Sequence, residues 1–134
     1  MEDIYKIAAN GGISDTELKE ALEKSLAGRT LQKVLILPPD FTRFHSQAGL
    51  ITSIYYHLLT ERGVQVDIMP ALGTHEPVSK VQWEIMFKGI PYESMIVHDW
   101  RHDVVKIGEV PASYLEEITD GLWHCLLYTS PSPR

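Results

Sequence analysis

One cysteine, Cys125, is all the chain has in 134 residues, which excludes an intrachain disulfide and any zinc site built on cysteines. No apolar run approaches the roughly 20 residues that a membrane-spanning helix needs. Positive charge is scarce and scattered: 12 Lys and Arg stand against 18 Asp and Glu, a net charge of -6, which argues against a nucleic-acid partner. The start, Met1-Glu2-Asp3-Ile4-Tyr5-Lys6, lacks the basic flank and apolar stretch of a secretory signal. These absences predict a cytoplasmic protein with no membrane and no nucleic-acid partner. Gly-x-Gly-x-x-Gly, the phosphate loop of NTPases and Gly-x-Ser-x-Gly are missing too, so an ordinary dinucleotide, ATP or serine-hydrolase site has no support.

What is present alternates between two periods. With 44% hydrophobic and 22% charged residues the composition is that of a globular chain, sized for one domain or part of one. Residues 1–13 carry weak pattern, end in Asn10-Gly11-Gly12 and read as an N-terminal arm. Ser14 and Glu17 have capping-box spacing, and Leu18, Ala21, Leu22, Ser25 and Leu26 share one face of a helix stopped by Gly28. A short apolar strand then runs to Leu37. From Ser46 to Leu59 apolar positions recur at three and four, and a second strand follows Gly63. Strand, helix and strand at this spacing form a βαβ unit, which makes the two strands parallel and sets the loops after them on one edge of the sheet. Pro77 fits the first position of a third helix, Met95 to Val97 a third strand, Val104 to Val110 a further extended piece, and Ser113 with Glu116 a second capping box. The expected fold class is α/β, a Rossmann-like parallel sheet with flanking helices, as an incomplete N-terminal domain spanning residues 14–124.

From Cys125 the pattern breaks. Cys-Leu-Leu-Tyr-Thr-Ser-Pro-Ser-Pro-Arg has no link to the preceding alternation and reads as a frayed end. It resembles the conceptual translation of a transposon-end sequencing adapter, which implies that residues 125–134 are not native and that the natural frame continues beyond His124.

Chemistry gathers where strands end, as ligand sites do in open α/β sheets. The apolar run Leu35-Ile36-Leu37 reads as a buried strand, and after Pro38-Pro39 it delivers Asp40, Thr42 and Arg43. Asp40 has an equally good reading as a turn former, whereas the fork of Arg43 suits a carboxylate or phosphate. Gly73-Thr74-His75 follows the second strand where a helix is expected to begin, offering backbone N–H groups and an imidazole able to exchange protons near neutrality. His98, Asp99 and His102 suggest a metal site, but the segment does not read as a helix and lacks His-Glu-x-x-His. No protein-only metal ligand set is assigned.

Together, Asp40-x-Thr42-Arg43 after one strand and Ala71-Leu72-Gly73-Thr74-His75 after the next resemble the N-terminal domain of the lactate racemase family, the nickel-pincer nucleotide enzymes, over residues 14–123. The resemblance implies a racemase or epimerase that inverts C2 of a 2-hydroxy acid through hydride transfer to the nickel-pincer nucleotide, in a cleft closed by a second α/β domain. It makes His75 an acid/base histidine, Arg43 the carboxylate contact, Asp40 their supporting acid, and Thr42, Gly73 and Thr74 cofactor contacts. Phe41 and Glu76 replace the His and Arg common in the family, which is similar to a divergent branch acting on a sugar acid such as mannonate. The second acid/base His, the cofactor-tethering Lys and the nickel-ligating His have no match here, so the fragment itself is expected to be inactive without the missing C-terminal part. Two rival readings stand beside this one: a metal-dependent hydrolase using His75, His98, Asp99 and His102, and a non-catalytic α/β module that captures small anions.

Overall fold

Ser14 opens the first helix by the reciprocal contact its spacing predicts: the Glu17 N–H donates to Ser14 Oγ (3.4 Å) and the Ser14 N–H to Glu17 Oε2 (3.0 Å). The structure, a computed structural model, describes residues 7–8, 11–124 and 127–129. It divides into two units, Met1–Pro70 with Val78–Ile96, and Ala71–Pro77 with Val97–Arg134. Most of the proposed arm, residues 1–6, 9 and 10, lies outside the described residues, as do 125, 126 and 130–134 of the adapter-like tail.

In the first unit, helix α1 (Asp15–Ser25) lays Leu18, Ala21 and Leu22, half-buried, toward helix α2 (Ala48–Thr60). Ser25 donates to the Leu22 carbonyl (2.6 Å), so the Tyr55 hydroxyl, 2.8 Å from Ser25 Oγ, is the donor that ties the two helices. Strand β1 (Lys33–Ile36) pairs in parallel with β2 (Gln65–Ile68), with Ile36 opposite Ile68. The unit is therefore α/β, a small parallel sheet flanked by helices, joined by the expected βαβ crossover.

Burial differs from the sequence reading at β1. Its residues alternate between exposed and half-buried, and Leu35 and Leu37 remain 47% and 53% exposed, because only one face of this edge strand is covered. The more deeply buried strand is β2, whose Val66 and Ile68 are buried while Gln65 stays exposed. The third strand is also reduced, to a single parallel bridge between Ile68 and Met95 with the Ile96 N–H donating to the Ile68 carbonyl (2.8 Å).

Helix α3 (Lys80–Met86) starts later than Pro77 suggests. Ser79 is its N-cap, and Gln82 completes a capping box, so Pro77 lies in the approach to the helix. This helix carries the centre of the core. Trp83 is fully buried, donates its indole N–H to the Ile90 carbonyl (2.8 Å), packs on Phe87 with the rings tilted and centroids 4.6 Å apart, and meets Tyr92 edge-on at 5.9 Å. At Gly49, α2 comes so close that an added Cβ would stand 2.2 Å from the Met86 carbonyl oxygen. Only a glycine fits there.

In the second unit, strand β3 (Gly108–Val110) pairs antiparallel with β4 (Leu127–Thr129), so part of the stretch read as a frayed end is hydrogen-bonded. Helix α4 (Ala112–Ile118) follows Pro111 as N-cap. The predicted Ser113–Glu116 box is not formed, because the helix has already begun at Ala112 and Ser113 lies inside its first turn. Among the described residues no helix is long and apolar enough to cross a membrane.

Candidate functional site

The turn after β1 is organised by Asp40. Its side chain is buried, 6% exposed, and Oδ1 accepts both the backbone N–H (3.2 Å) and the hydroxyl (2.6 Å) of Thr42. Its carbonyl oxygen accepts the Arg43 N–H at 3.0 Å. Asp40 thereby caps a 3-10 helix, Phe41–Ser46, in which Arg43 departs to φ -104°, ψ 26°, the sparsely populated bridge region. Arg43 and Thr42 are both exposed. An exposed guanidinium on a turn fixed by a buried acid is chemically suited to receiving a planar anion. Thr42 is less suited to donate to a phosphate, since its hydroxyl proton is already committed to Asp40.

Gly73, Thr74 and His75 form a separate turn in the second unit. The His75 N–H donates to the Leu72 carbonyl (3.0 Å), and Gly73 takes φ 59°, a conformation that favours glycine. An added Cβ at Gly73 would meet nothing within 4 Å among the described residues, so the glycine serves the turn. His75 and Thr74 are exposed, and since α3 begins only at Lys80, His75 is not at a helix N-terminus as the sequence suggests.

In the same unit, residues 98–103 fold around Asp99. Its Oδ1 accepts the N–H groups of Arg101 and His102 (both 3.2 Å), and His102 Nδ1 lies 2.9 and 2.8 Å from its two oxygens. That hydrogen bond to the His102 ring is the main cause that lowers the Asp99 carboxyl below its ordinary value of 3.8. Arg101 lies over the Trp100 ring at 4.2 Å. His98 Nδ1 is buried without a hydrogen-bond partner among the described residues. Among the described residues no three His, Cys, Asp or Glu side chains are grouped to hold a metal ion.

A feature the sequence reading missed lies in the first unit. Phe44 and His45 of the 3-10 helix, the first turns of α2 and the end of α3 with Lys88 line a cavity of about 580 Å³, which includes none of the candidate site residues named from the sequence. The half-exposed Phe44, beside Phe41 at 5.6 Å, is the signal that could have pointed to it.

Comparison with known proteins adds to the fold. No family model matches the chain, and no curated protein does. A crystal structure of a Thermotoga maritima protein, determined as a structural-genomics target, is similar with a TM-score of 0.70 and 24% identity over 86% of this chain. The chain spans 29% of that protein's length. At this identity the likeness carries the α/β fold.

Proposed function

We propose that the chain is the amino-terminal part of a cytoplasmic racemase or epimerase that inverts C2 of a 2-hydroxy acid, lactate or a sugar acid such as mannonate. The observation that carries this reading is the Asp40 turn: its buried carboxylate fixes Thr42 while its main-chain carbonyl accepts the Arg43 N–H, leaving the exposed guanidinium on a preorganised loop. In this reading Arg43 receives the substrate carboxylate through two parallel hydrogen bonds. His75 takes the C2 hydroxyl proton and returns it, a task for which an imidazole is matched near neutral pH. Asp40 touches no substrate and acts as a positioning residue.

The nickel-pincer nucleotide of the family would supply a hydride acceptor when bound. Among the residues assigned to it, Thr42 fits a phosphate poorly because its proton is committed, whereas the open turn at Gly73 and Thr74 leaves room for one. The test uses the full-length protein loaded with the nucleotide, following the enantiomer or epimer ratio of lactate and mannonate by chiral chromatography. His75→Gln is expected to lower kcat by at least about 100-fold, and Arg43→Lys to raise KM. Undiminished turnover in His75→Gln would leave anion capture as the better account.

A further inference from the structure

The cavity beside the 3-10 helix has no place in the reading above, and its lining is chemically one-sided. Phe44, Leu50, Ile85 and Met86 supply apolar walls. Among the described residues the charged or titratable groups at its margin are His45 and Lys88, and no carboxylate lines it, in a chain with 18 acidic residues and a net charge of -6. Lys88 is exposed and forms no ion pair among the described residues. Ser53 is turned inward, donating to the Gly49 carbonyl at 3.0 Å, and contributes shape rather than a donor. Phe44 and Ile85 stay 49% and 45% exposed, so the apolar wall is open to a ligand.

The concavity is built in. Gln47, at φ 64° and ψ 6°, turns the chain sharply between the 3-10 helix and α2. Gly49 lets α2 close onto the Met86 carbonyl, which locks the floor of the cavity. A volume of about 580 Å³ lies within the range of small-molecule sites, and apolar walls with a few polar groups are their usual composition.

We propose that this cavity binds a small monocarboxylate with an apolar body, a medium-chain or aryl acid. Its hydrocarbon lies against Phe44, Leu50, Ile85 and Met86, and its carboxylate meets Lys88 and His45. The apolar walls supply most of the affinity, and the Lys88 cation selects the acid over its neutral analogue. The site needs neither Arg43 nor His75, so it stands or falls apart from the racemase reading.

The experiment titrates the full chain with sodium octanoate and, in parallel, with octan-1-ol, followed by amide NMR shifts. Saturable shifts confined to residues 44–53 and 85–88 are expected, with octanoate tighter than the alcohol by about fivefold. Lys88→Gln, at an exposed position where folding is readily verified from the retained spectrum, should erase most of that preference. Equal affinity for acid and alcohol, shifts scattered over the chain, or a dimer in sedimentation that buries these residues and is unaffected by octanoate would each overturn the assignment.

Discussion

Asp40 accepts the Thr42 hydroxyl at 2.6 Å and its N–H at 3.2 Å from a side chain only 6% exposed, so one buried acid fixes the residue beside the candidate anion contact. Its role as helix cap and its role in supporting Arg43 are the same physical act. A carboxylate that holds a turn also decides where the next guanidinium is anchored.

Replacing Asp40 therefore tests both. Asp40→Ala removes the acceptor and should lower stability by about 1–2 kcal/mol, whereas Asp40→Asn keeps an acceptor oxygen and should cost less. Urea unfolding of the two variants beside the parent checks the order. An Asn variant as unstable as the Ala variant would mean that charge, not capping, holds the turn.

Gly49 and Gly63 separate two reasons for glycine. At Gly49 a methyl group would meet the Met86 carbonyl at 2.2 Å, so Gly49→Ala should cost about 3 kcal/mol or more through a backbone collision. At Gly63 nothing lies within 4 Å but φ is 74°, so Gly63→Ala should cost about 1 kcal/mol through conformation alone. Thermal denaturation monitored by circular dichroism would rank them.

Gln47 holds φ 64° without the freedom of a glycine and makes no side-chain cap for α2. Gln47→Gly should relieve the left-handed strain and raise stability by up to about 1 kcal/mol, part of the gain being offset by the more flexible unfolded chain. A fall in the denaturation midpoint instead would show that the Gln47 side chain makes contacts worth more than the strain.

The Asp99–His102 pair has a definite pH signature. The folded Asp99 carboxyl lies below 3.8, so what the pair adds to stability is present above that value and is lost as pH falls through the lowered pKa. Carbon-detected NMR titration of the Asp99 carboxylate should show its midpoint rising toward 3.8 in His102→Asn. A midpoint unmoved by that change would assign the lowering to the N–H groups of Arg101 and His102.

How far the sequence foretold this arrangement depends on the range of the interaction. Ser14 with Glu17 and the β1–α2–β2 crossover were legible because capping and periodicity act within a few residues. The start of α3 was misplaced because Pro77 satisfies the same positional preference that Ser79 and Gln82 meet with two hydrogen bonds. Ser113 and Glu116 have the right spacing, but Pro111 caps the helix two residues too early for them to close a box. Leu35 and Leu37 read as buried because an apolar run does not reveal that one face of its strand is uncovered. Asp40 as a turn former was visible from its neighbours, whereas the cavity joins Phe44, Leu50 and Lys88 from three separate elements, which no local pattern encodes.

Ile68 pairs with Ile36 on one side and bridges to Met95 on the other, with no exposed surface of its own. The β2 amides should accordingly be the last in the first unit to trade their protons with heavy water, while the solitary link at Ile96 gives way well before them. An isotope-exchange profile would then read as nested shells, with the seam between Ile68 and Met95 as the layer that loosens ahead of the centre.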